Sequence, residues 1–408
     1  MTRNSAPEHR SARARIRVLL LNYEYPPSGG GAGRATWHLC RELPSFGVGV
    51  DAIVSRGLDA AEEALPGARI FTVPTHRKSS HETGALAMIE YLWRARPLAR
   101  RLLSEGHHDF VHYFFSVPTG LLSFALDRGR PYVVSLRGGD VPGFNPGEFA
   151  LAHALLAPFN RLILERAAKV VALGDELKRH TATRWRIDGI EVIRNGVDSE
   201  LFRPDISEKS SAERTRLLYV GRFVAWKGLD DLLAAMTLLP KRFELDLVGT
   251  GAEEAALRRR CEAFGLSGRV RFLGALPHES LPAIYRSADM FVIPSLAESF
   301  SQVTAEALAS GLPVVAAKAG ALPNLIDHGQ NGLLVEPRNA RAIAEAVLAI
   351  SGDADLRRRM AEAARRKAVE TLSWSSVARA YAEIYGRCLA EAQARTKASS
   401  SGGSASTM

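Results

Sequence analysis

Residues Asp289–Ala317 read DMFVIPSLAESFSQVTAEALASGLPVVAA. An apolar run, MFVI, gives way to a loop, and a helix-forming stretch then leads to a second apolar run, VVAA. Two short, continuously apolar runs joined by a helix predict a strand–helix–strand unit whose strands are buried on both faces, the pattern of a parallel sheet. The helix is predicted to start near Ser301. Glu298 then falls in the loop at the carboxyl end of the first strand, and Glu306 about one turn inside the helix. Between them, the backbone N–H groups of Phe300, Ser301, Gln302 and Val303 have no intrahelical acceptor and can face a phosphate or sugar oxygen. The two carboxylates can accept hydrogen bonds from vicinal hydroxyls, one set on a hexose and the other on a ribose. A plain helix start with acidic residues favoured by the macrodipole accounts for the same letters.

The unit recurs along the chain. IRVLLLN, VGVDAIV, RIFTV, FVHYFF, PYVVSL, KVVAL and IEVIRNG form one series of strand-like runs separated by helical stretches, and RLLYVG, FELDLVG, VRFLG, MFVIPS, LPVVAA and GLLVE form a second. The expected fold is therefore α/β, with two doubly wound Rossmann-like domains facing across a cleft, each able to take a ligand at the carboxyl ends of its strands. The expected boundaries are a basic disordered tail over 1–15, an N-terminal domain over 16–195, a polar linker over 196–214 and a C-terminal domain over 215–370. A helix over 371–391 is expected to pack back toward the N-terminal domain, followed by a Ser/Gly-rich disordered tail over 392–408.

A hydrophobic content of 46% against 24% charged residues places the chain among water-soluble globular proteins. No apolar stretch is long enough to span a bilayer or to form a signal peptide, so a cytoplasmic protein is expected. Cys40, Cys261 and Cys388 are odd in number and far apart, which fits buried free thiols and gives neither a disulfide framework nor a metal site. The net charge of +9 points to an anionic partner. It is concentrated in residues 1–195, which hold 26 basic against 19 acidic residues. No basic stripe interleaved with aromatics suggests nucleic acid. The segment LAMIEYLWRARPLARRLL sets Met88, Ile89, Leu92 and Trp93 beside Arg94, Arg96, Arg100 and Arg101. It can lie on an anionic membrane at the inner face of the cell membrane, or simply pack on the sheet with a solvated basic face.

Other strand ends carry further candidates. In RLLYVGRFVAWKG, Arg222 and Lys227 lie in the turn after a strand and beside a helix start, where two cations suit a diphosphate. Gly249 and Gly251 follow the next strand and open a helix. Gly30 and Gly31, in the loop after the first strand, let backbone approach a ligand, with a helix beginning near Ala35. His112 lies on a strand and is either a packed core histidine or a contact to sugar or acceptor. Arg137 and Asp140 either bind acceptor or order their own loop.

Taken together, VGRFVAWKG, VGTGAEE, ESFSQVTAEALASGLPVVA and VIRNGVDSELFRP resemble the retaining nucleotide-sugar glycosyltransferases of glycosyltransferase family 4, which have the GT-B fold. The resemblance implies Arg222 and Lys227 on the donor diphosphate, Glu298 on the donor sugar, Glu306 on the ribose, and the amides of Phe300–Val303 on sugar and phosphate. It also puts the base against the stretch Leu273–Leu276 and the phosphates and acceptor against Gly30 and Gly31. It makes the domain over 16–195 acceptor-side and the domain over 215–370 nucleotide-sugar-binding. The expected activity is transfer of a sugar from a nucleoside diphosphate sugar to a hydroxyl acceptor, a lipid-linked or cell-surface glycan intermediate such as those of polysaccharide or lipopolysaccharide biosynthesis. No cofactor is expected, and no D-x-D motif is read as holding a metal. A nucleotide-sugar epimerase of the same fold and a non-catalytic nucleotide-sugar-binding protein are the alternatives. Four positions depart from the family pattern: Phe114 stands where a second histidine is frequent, Ser301 replaces a common glycine, and Ala321 and Asn324 occupy positions that are often Gly and Glu.

Overall fold

The computed structural model describes residues 16–402 apart from 27–30, 56, 58–60, 77–83, 106–107, 127–128, 145–149, 205–213 and 299. The chain divides into two compact units. The first holds residues up to Leu173, Leu177–Ile193 and everything from Val377 on; the second holds Gly174–Glu176 and Arg194–Ser376.

The first unit has an eight-stranded sheet made of β1 (Ile16–Asn22), β2 (Val48–Val54), β3 (Ala61–Leu65), β4 (Ala68–Thr72), β5 (Phe110–Phe114), β6 (Tyr132–Leu136), β7 (Lys169–Ala172) and β8 (Glu191–Val192). Its order is β3-β4-β2-β1-β5-β6-β7-β8. All pairings are parallel except β3 with β4. The second unit has a six-stranded, wholly parallel sheet made of β9 (Thr215–Val220), β10 (Phe243–Val248), β11 (Val270–Gly274), β12 (Met290–Ile293), β13 (Val314–Ala317) and β14 (Gly332–Val335). Its order, β11-β10-β9-β12-β13-β14, reverses direction between β9 and β12. In open α/β sheets the crevice at such a reversal, at the carboxyl ends of the strands, is where ligands bind.

The continuous apolar runs are explained by burial on both faces. In β9, Leu217 and Tyr219 join a core beneath the helices Leu229–Leu238 and Ala340–Gly352, whereas Leu218 and Val220 point the other way into a core with the helix Gln302–Ala309. All four are nearly inaccessible, so each face needs its own apolar side chains.

The structure differs from the sequence expectations in four places. β3, an AEEAL edge strand, is not anticipated because it lacks β-branched residues; it folds back antiparallel on β4 across a turn at Gly67. The described part of the expected linker belongs to the second unit. Val197 and Phe202 are buried in its core, and the Val197 N–H donates to the Leu372 carbonyl at 2.7 Å. The first helix starts at Gly31 rather than near Ala35. The last helix runs from Trp374 to Gly402, so 392–402 is helical: residues such as Ala, Glu, Gln, Arg and Lys keep a helix going once it is nucleated. The expected tails over 1–15 and 403–408 lie outside the described residues.

Two polar clusters fix the first unit. Asp51, on β2 and 1% exposed, accepts hydrogen bonds from Arg69 Nε and Nη2 (2.9 and 2.7 Å) and pairs with His108 Nε2 at 2.8 Å, with Arg17 at 3.5 Å. At the C-terminal helix, Tyr385 Oη lies 2.7 Å from His112 Nδ1, and Ser135 Oγ lies 2.7 Å from His112 Nε2 and 2.8 Å from Tyr381 Oη. All three cysteines are free and buried.

Candidate active site

The reversal between β9 and β12 gathers the best candidates. After β9, the backbone turns through a short 3-10 helix, Ala225–Lys227, and Lys227 Nζ meets Glu298 Oε1 at 2.5 Å. The two side chains are only 15% and 9% exposed, so the pair is shielded from bulk water. The Leu296 N–H donates to the Trp226 carbonyl at 2.8 Å and ties the loop after β12 to the turn after β9. Glu298 is held from a third side. Its carbonyl accepts from the Ala321 N–H at 2.8 Å, and a Cβ on Gly320 would come within 2.5 Å of the Glu298 nitrogen. Gly320 also has φ of +55°, so a side chain there is both strained and obstructed.

Arg222 lies at the exposed mouth of the same turn, with its guanidinium 5.7 Å from the centre of the Trp226 ring. Among the described residues it has no carboxylate partner. Tyr219 sits beside it and donates to the Arg222 carbonyl at 3.2 Å. Burial, with the Glu298 charge adding to it, pushes the Tyr219 phenol well above its ordinary pKa, against a smaller pull from Arg222.

The helix Gln302–Ala309 begins at Ser301, which has φ +71° and ψ +75°. This is the left-handed region that favours glycine, and it gives a physical reason for the glycine that is frequent there. Ser301 and Thr304 exchange a side-chain hydrogen bond of 2.8 Å, and Gln302 Nε2 donates to the Gly196 carbonyl. Among the described residues nothing accepts from the N–H groups of Phe300, Ser301, Gln302 or Val303. One turn in, Glu306 is 2% exposed and accepts from Tyr285 Oη at 3.1 Å, with His278 Nε2 at 3.3 Å. Leu273 and Leu276 are half-buried shoulders of the core on this side. Sequence reasoning missed His278, Tyr285, Tyr219 and Trp226. Only Trp226, between the two predicted cations, was within reach of motif reading.

Other candidates are placed differently. Gly249 and Gly251 are demanded by packing, since a Cβ on either would run into the backbone of Gly221 or Phe223. They weld the β9 and β10 loops together. Asp230 pairs with Arg260 on the neighbouring helix. Asp353-Ala354-Asp355 is a D-x-D triplet that the sequence reading leaves out. It starts a helix: Asp353 caps the Leu356 N–H at 2.8 Å and Asp355 pairs with Arg358.

In the first unit, Gly30 lies outside the described residues, and Gly31 is the exposed first residue of its helix. His112 is corrected from a sugar or acceptor contact to a core residue. It is 0% exposed and both ring nitrogens are engaged within the unit; burial, with the Arg137 charge adding to it, holds its pKa well below the usual value, so it is neutral. Phe114 is buried next to it, and the Arg137 guanidinium lies 4.0 Å from the centre of its ring. Asp140 orders its own loop: buried, it accepts from the backbone N–H groups of Ser116, Arg137 and Gly138 at 2.8, 2.8 and 3.0 Å.

Comparison with known proteins agrees with this geometry over both units. Residues 29–201 match the family model Glycosyltransferase Family 4, and residues 202–367 match Glycosyl transferases group 1. The D-inositol 3-phosphate glycosyltransferase of Streptomyces coelicolor is 32% identical over 325 residues, 69% of either chain. The chain belongs to glycosyltransferase family 4. Among solved structures, the sucrose-phosphate synthase of Thermosynechococcus elongatus superposes with a TM-score of 0.75 at 25% identity, covering 92% of this chain and all of that one. Anabaena HepE, solved with UDP and glucose, superposes at 0.69 and 22% identity over 91% of this chain and all of its own. The glycosyltransferase thus has two Rossmann-like units of the GT-B type, and Lys227, Glu298, Arg222 and the start of the helix Gln302–Ala309 meet at the sheet reversal of its second unit.

Proposed function

We propose that this glycosyltransferase moves a sugar from a nucleoside diphosphate sugar to a hydroxyl on a lipid-linked or cell-surface glycan, with retention at the anomeric carbon. The observation that carries the reading is the buried Lys227–Glu298 pair beside four unaccepted helix amides at the β9/β12 reversal. As the glycosidic bond breaks, the leaving diphosphate gains negative charge. Arg222, Lys227 and the amides of Phe300–Val303 stabilise that charge, Lys227 exchanging its Glu298 partner for the phosphates. Glu298, released from Lys227 when the phosphates arrive, takes the donor-sugar hydroxyls. Glu306 takes the ribose, its rear oxygen held by Tyr285, and the base lies on Leu273 and Leu276. A neighbour of the same fold was solved with UDP and glucose, which supports a nucleotide-sugar partner.

A thermal-shift panel of UDP, GDP and ADP with their sugars tests this directly. One nucleotide is expected to raise the melting temperature by several degrees, as mass action requires at about 100 times Kd. A flat response to all of them would remove the donor site. Because the cationic groups already neutralise the leaving diphosphate, turnover in excess EDTA is expected to stay within about twofold of the untreated rate. Loss of activity restored by Mg²⁺ or Mn²⁺ would show that Arg222 and Lys227 do not suffice.

Membrane association is part of the same proposal. Among the described residues no helix is long and apolar enough to cross a membrane. The helix Ala85–Ser104, however, exposes Leu86, Ile89 and Trp93 by 77, 62 and 74%. These lie within one 100°-wide stripe, with Arg94, Arg96, Arg100 and Arg101 following. Co-sedimentation with phosphatidylserine vesicles is expected at low salt, and replacing the four arginines by alanine is expected to release the protein, at about 1 kcal/mol for each charge. Equal sedimentation of the quadruple variant would assign the exposed stripe another role.

A further inference from the structure

The second unit has a large concave surface at the other end of its sheet from the proposed donor site. A groove of about 1140 Å³ runs under the amino ends of β9, β10, β12 and β13, where Arg214, Arg242, Asp289 and Pro313 lie, and along the helix Ala354–Thr371. Six arginines line it: Arg214, Arg242, Arg357, Arg358, Arg365 and Arg366. Three are committed. Arg214 pairs with Glu244, Arg358 with Asp355 and Glu362, and Arg365 donates to the carbonyls of Ser199, Phe202 and Ala309 at 2.7–3.0 Å.

Arg242, Arg357 and Arg366 have no carboxylate partner among the described residues. Three acidic residues line the groove: Asp289 accepts from the Arg216 N–H at 2.9 Å, Glu362 is shared with Arg358, and Glu370 makes no ion pair among the described residues. The hydroxyl of Ser310, in a residue 3% exposed, also lines the groove and is buried with no hydrogen-bond partner. Between the charges the lining is apolar, through Pro204, Pro313, Ala354, Ala361 and Val369.

We propose that this groove docks an extended acidic segment of a partner protein, one in which carboxylates alternate with apolar side chains. The guanidinium fork matches a carboxylate in two-point geometry. The apolar stretches between the arginines would gain nothing from a bare polyphosphate, and they match the apolar positions of such a segment. From Ala354 to Glu370 the helix rises about 24 Å, long enough for roughly seven extended residues and too long for one small phosphorylated metabolite. The surface is concave, which suits a strand of peptide and not the plane of a bilayer.

Fluorescence anisotropy on the full chain tests this, using a labelled peptide of about ten residues that alternates Glu and Leu. Saturable binding with a Kd of tens of micromolar is expected at low salt, weakened at least about tenfold in Arg357→Ala/Arg366→Ala and unaffected by saturating UDP or GDP. The matching Lys–Leu peptide is expected not to bind, and circular dichroism would verify that the double variant is folded. Four results would overturn the proposal: no saturation by about 1 mM, equal affinity in the double variant, equal affinity for the Lys–Leu peptide, or displacement of the peptide by tripolyphosphate or anionic vesicles at lower concentration than by unlabelled peptide. Because the binding is read without turnover and with the donor site filled or empty, its failure leaves the proposed transferase reaction untouched, and the reverse holds.

Discussion

Replacing Lys227 by alanine is expected to lower turnover at saturating donor by about three orders of magnitude, close to 4 kcal/mol, with the fold intact. Two effects act together. A preorganised cation is lost where negative charge develops, and Glu298 loses the partner 2.5 Å away that fixes its carboxylate before donor arrives. Lys227 is 15% exposed, so solvent cannot replace it cheaply. Its removal also leaves the shielded Glu298 carboxylate without its counter-charge, so some stability is lost, and the melting curve separates that loss from the loss of turnover. Lys227→Arg keeps the charge but brings a wide planar fork into a turn shaped for a compact ammonium, and is expected to recover only part of the loss. Steady-state kinetics, donor titration and a melting curve on the three proteins check this. Near-normal turnover in Lys227→Ala would detach the lysine from the leaving group.

Asp51→Ala is expected to cost about 3–5 kcal/mol of stability, because it leaves Arg69 and the buried His108 facing a site without its counter-charge. Burial works to raise the Asp51 pKa, but hydrogen bonds and charge from His108 and Arg69 outweigh it and hold the carboxyl below its usual range. With the folded-state pKa depressed, the contribution is complete above the unfolded carboxylate pKa of about 4 and disappears as pH falls through the lower folded value. Urea denaturation of both proteins should therefore give a constant difference from neutral pH down to about 5, narrowing only in stronger acid. A gap that stayed constant into strong acid, or one below about 1 kcal/mol, would mean that the cluster is not a net stabiliser.

Much of this molecule is readable from its letters because local signals and tertiary demands agree. Buried parallel strands need apolar residues on both faces, and of the fourteen strands among the described residues thirteen fall on the runs read from the sequence. The exception, β3, sits at an edge where Glu62 and Glu63 are tolerated and burial writes no pattern. The placement of the candidate residues Arg222, Lys227 and Glu298 at strand ends was legible, because strand-end geometry follows from the apolar runs. What stayed hidden depends on distant partners. Tyr285 and His278 reach Glu306 from two short helices that follow β11, and nothing in their own surroundings announces it. Gly249 and Gly251 carry a second demand that the motif does not display: a Cβ on either would meet the backbone of Gly221 or Phe223. The two readings of His112 could not be separated by its own strand, because the partner that marks it as a packed core residue lies 273 residues further along.

That long separation sets the order in which the protein can mature on the ribosome. The strand bearing His112 leaves the ribosome well before the Tyr385 hydroxyl that meets its Nδ1, 273 residues further on, and before Tyr381, whose hydroxyl bonds the neighbouring Ser135. Residues Arg194–Ser376 form a nearly unbroken stretch that can close its own interior while synthesis continues. The opening half must wait with an uncovered flank until the terminal helix arrives. Premature stops shortly after Trp374 should therefore damage the half of the protein made first.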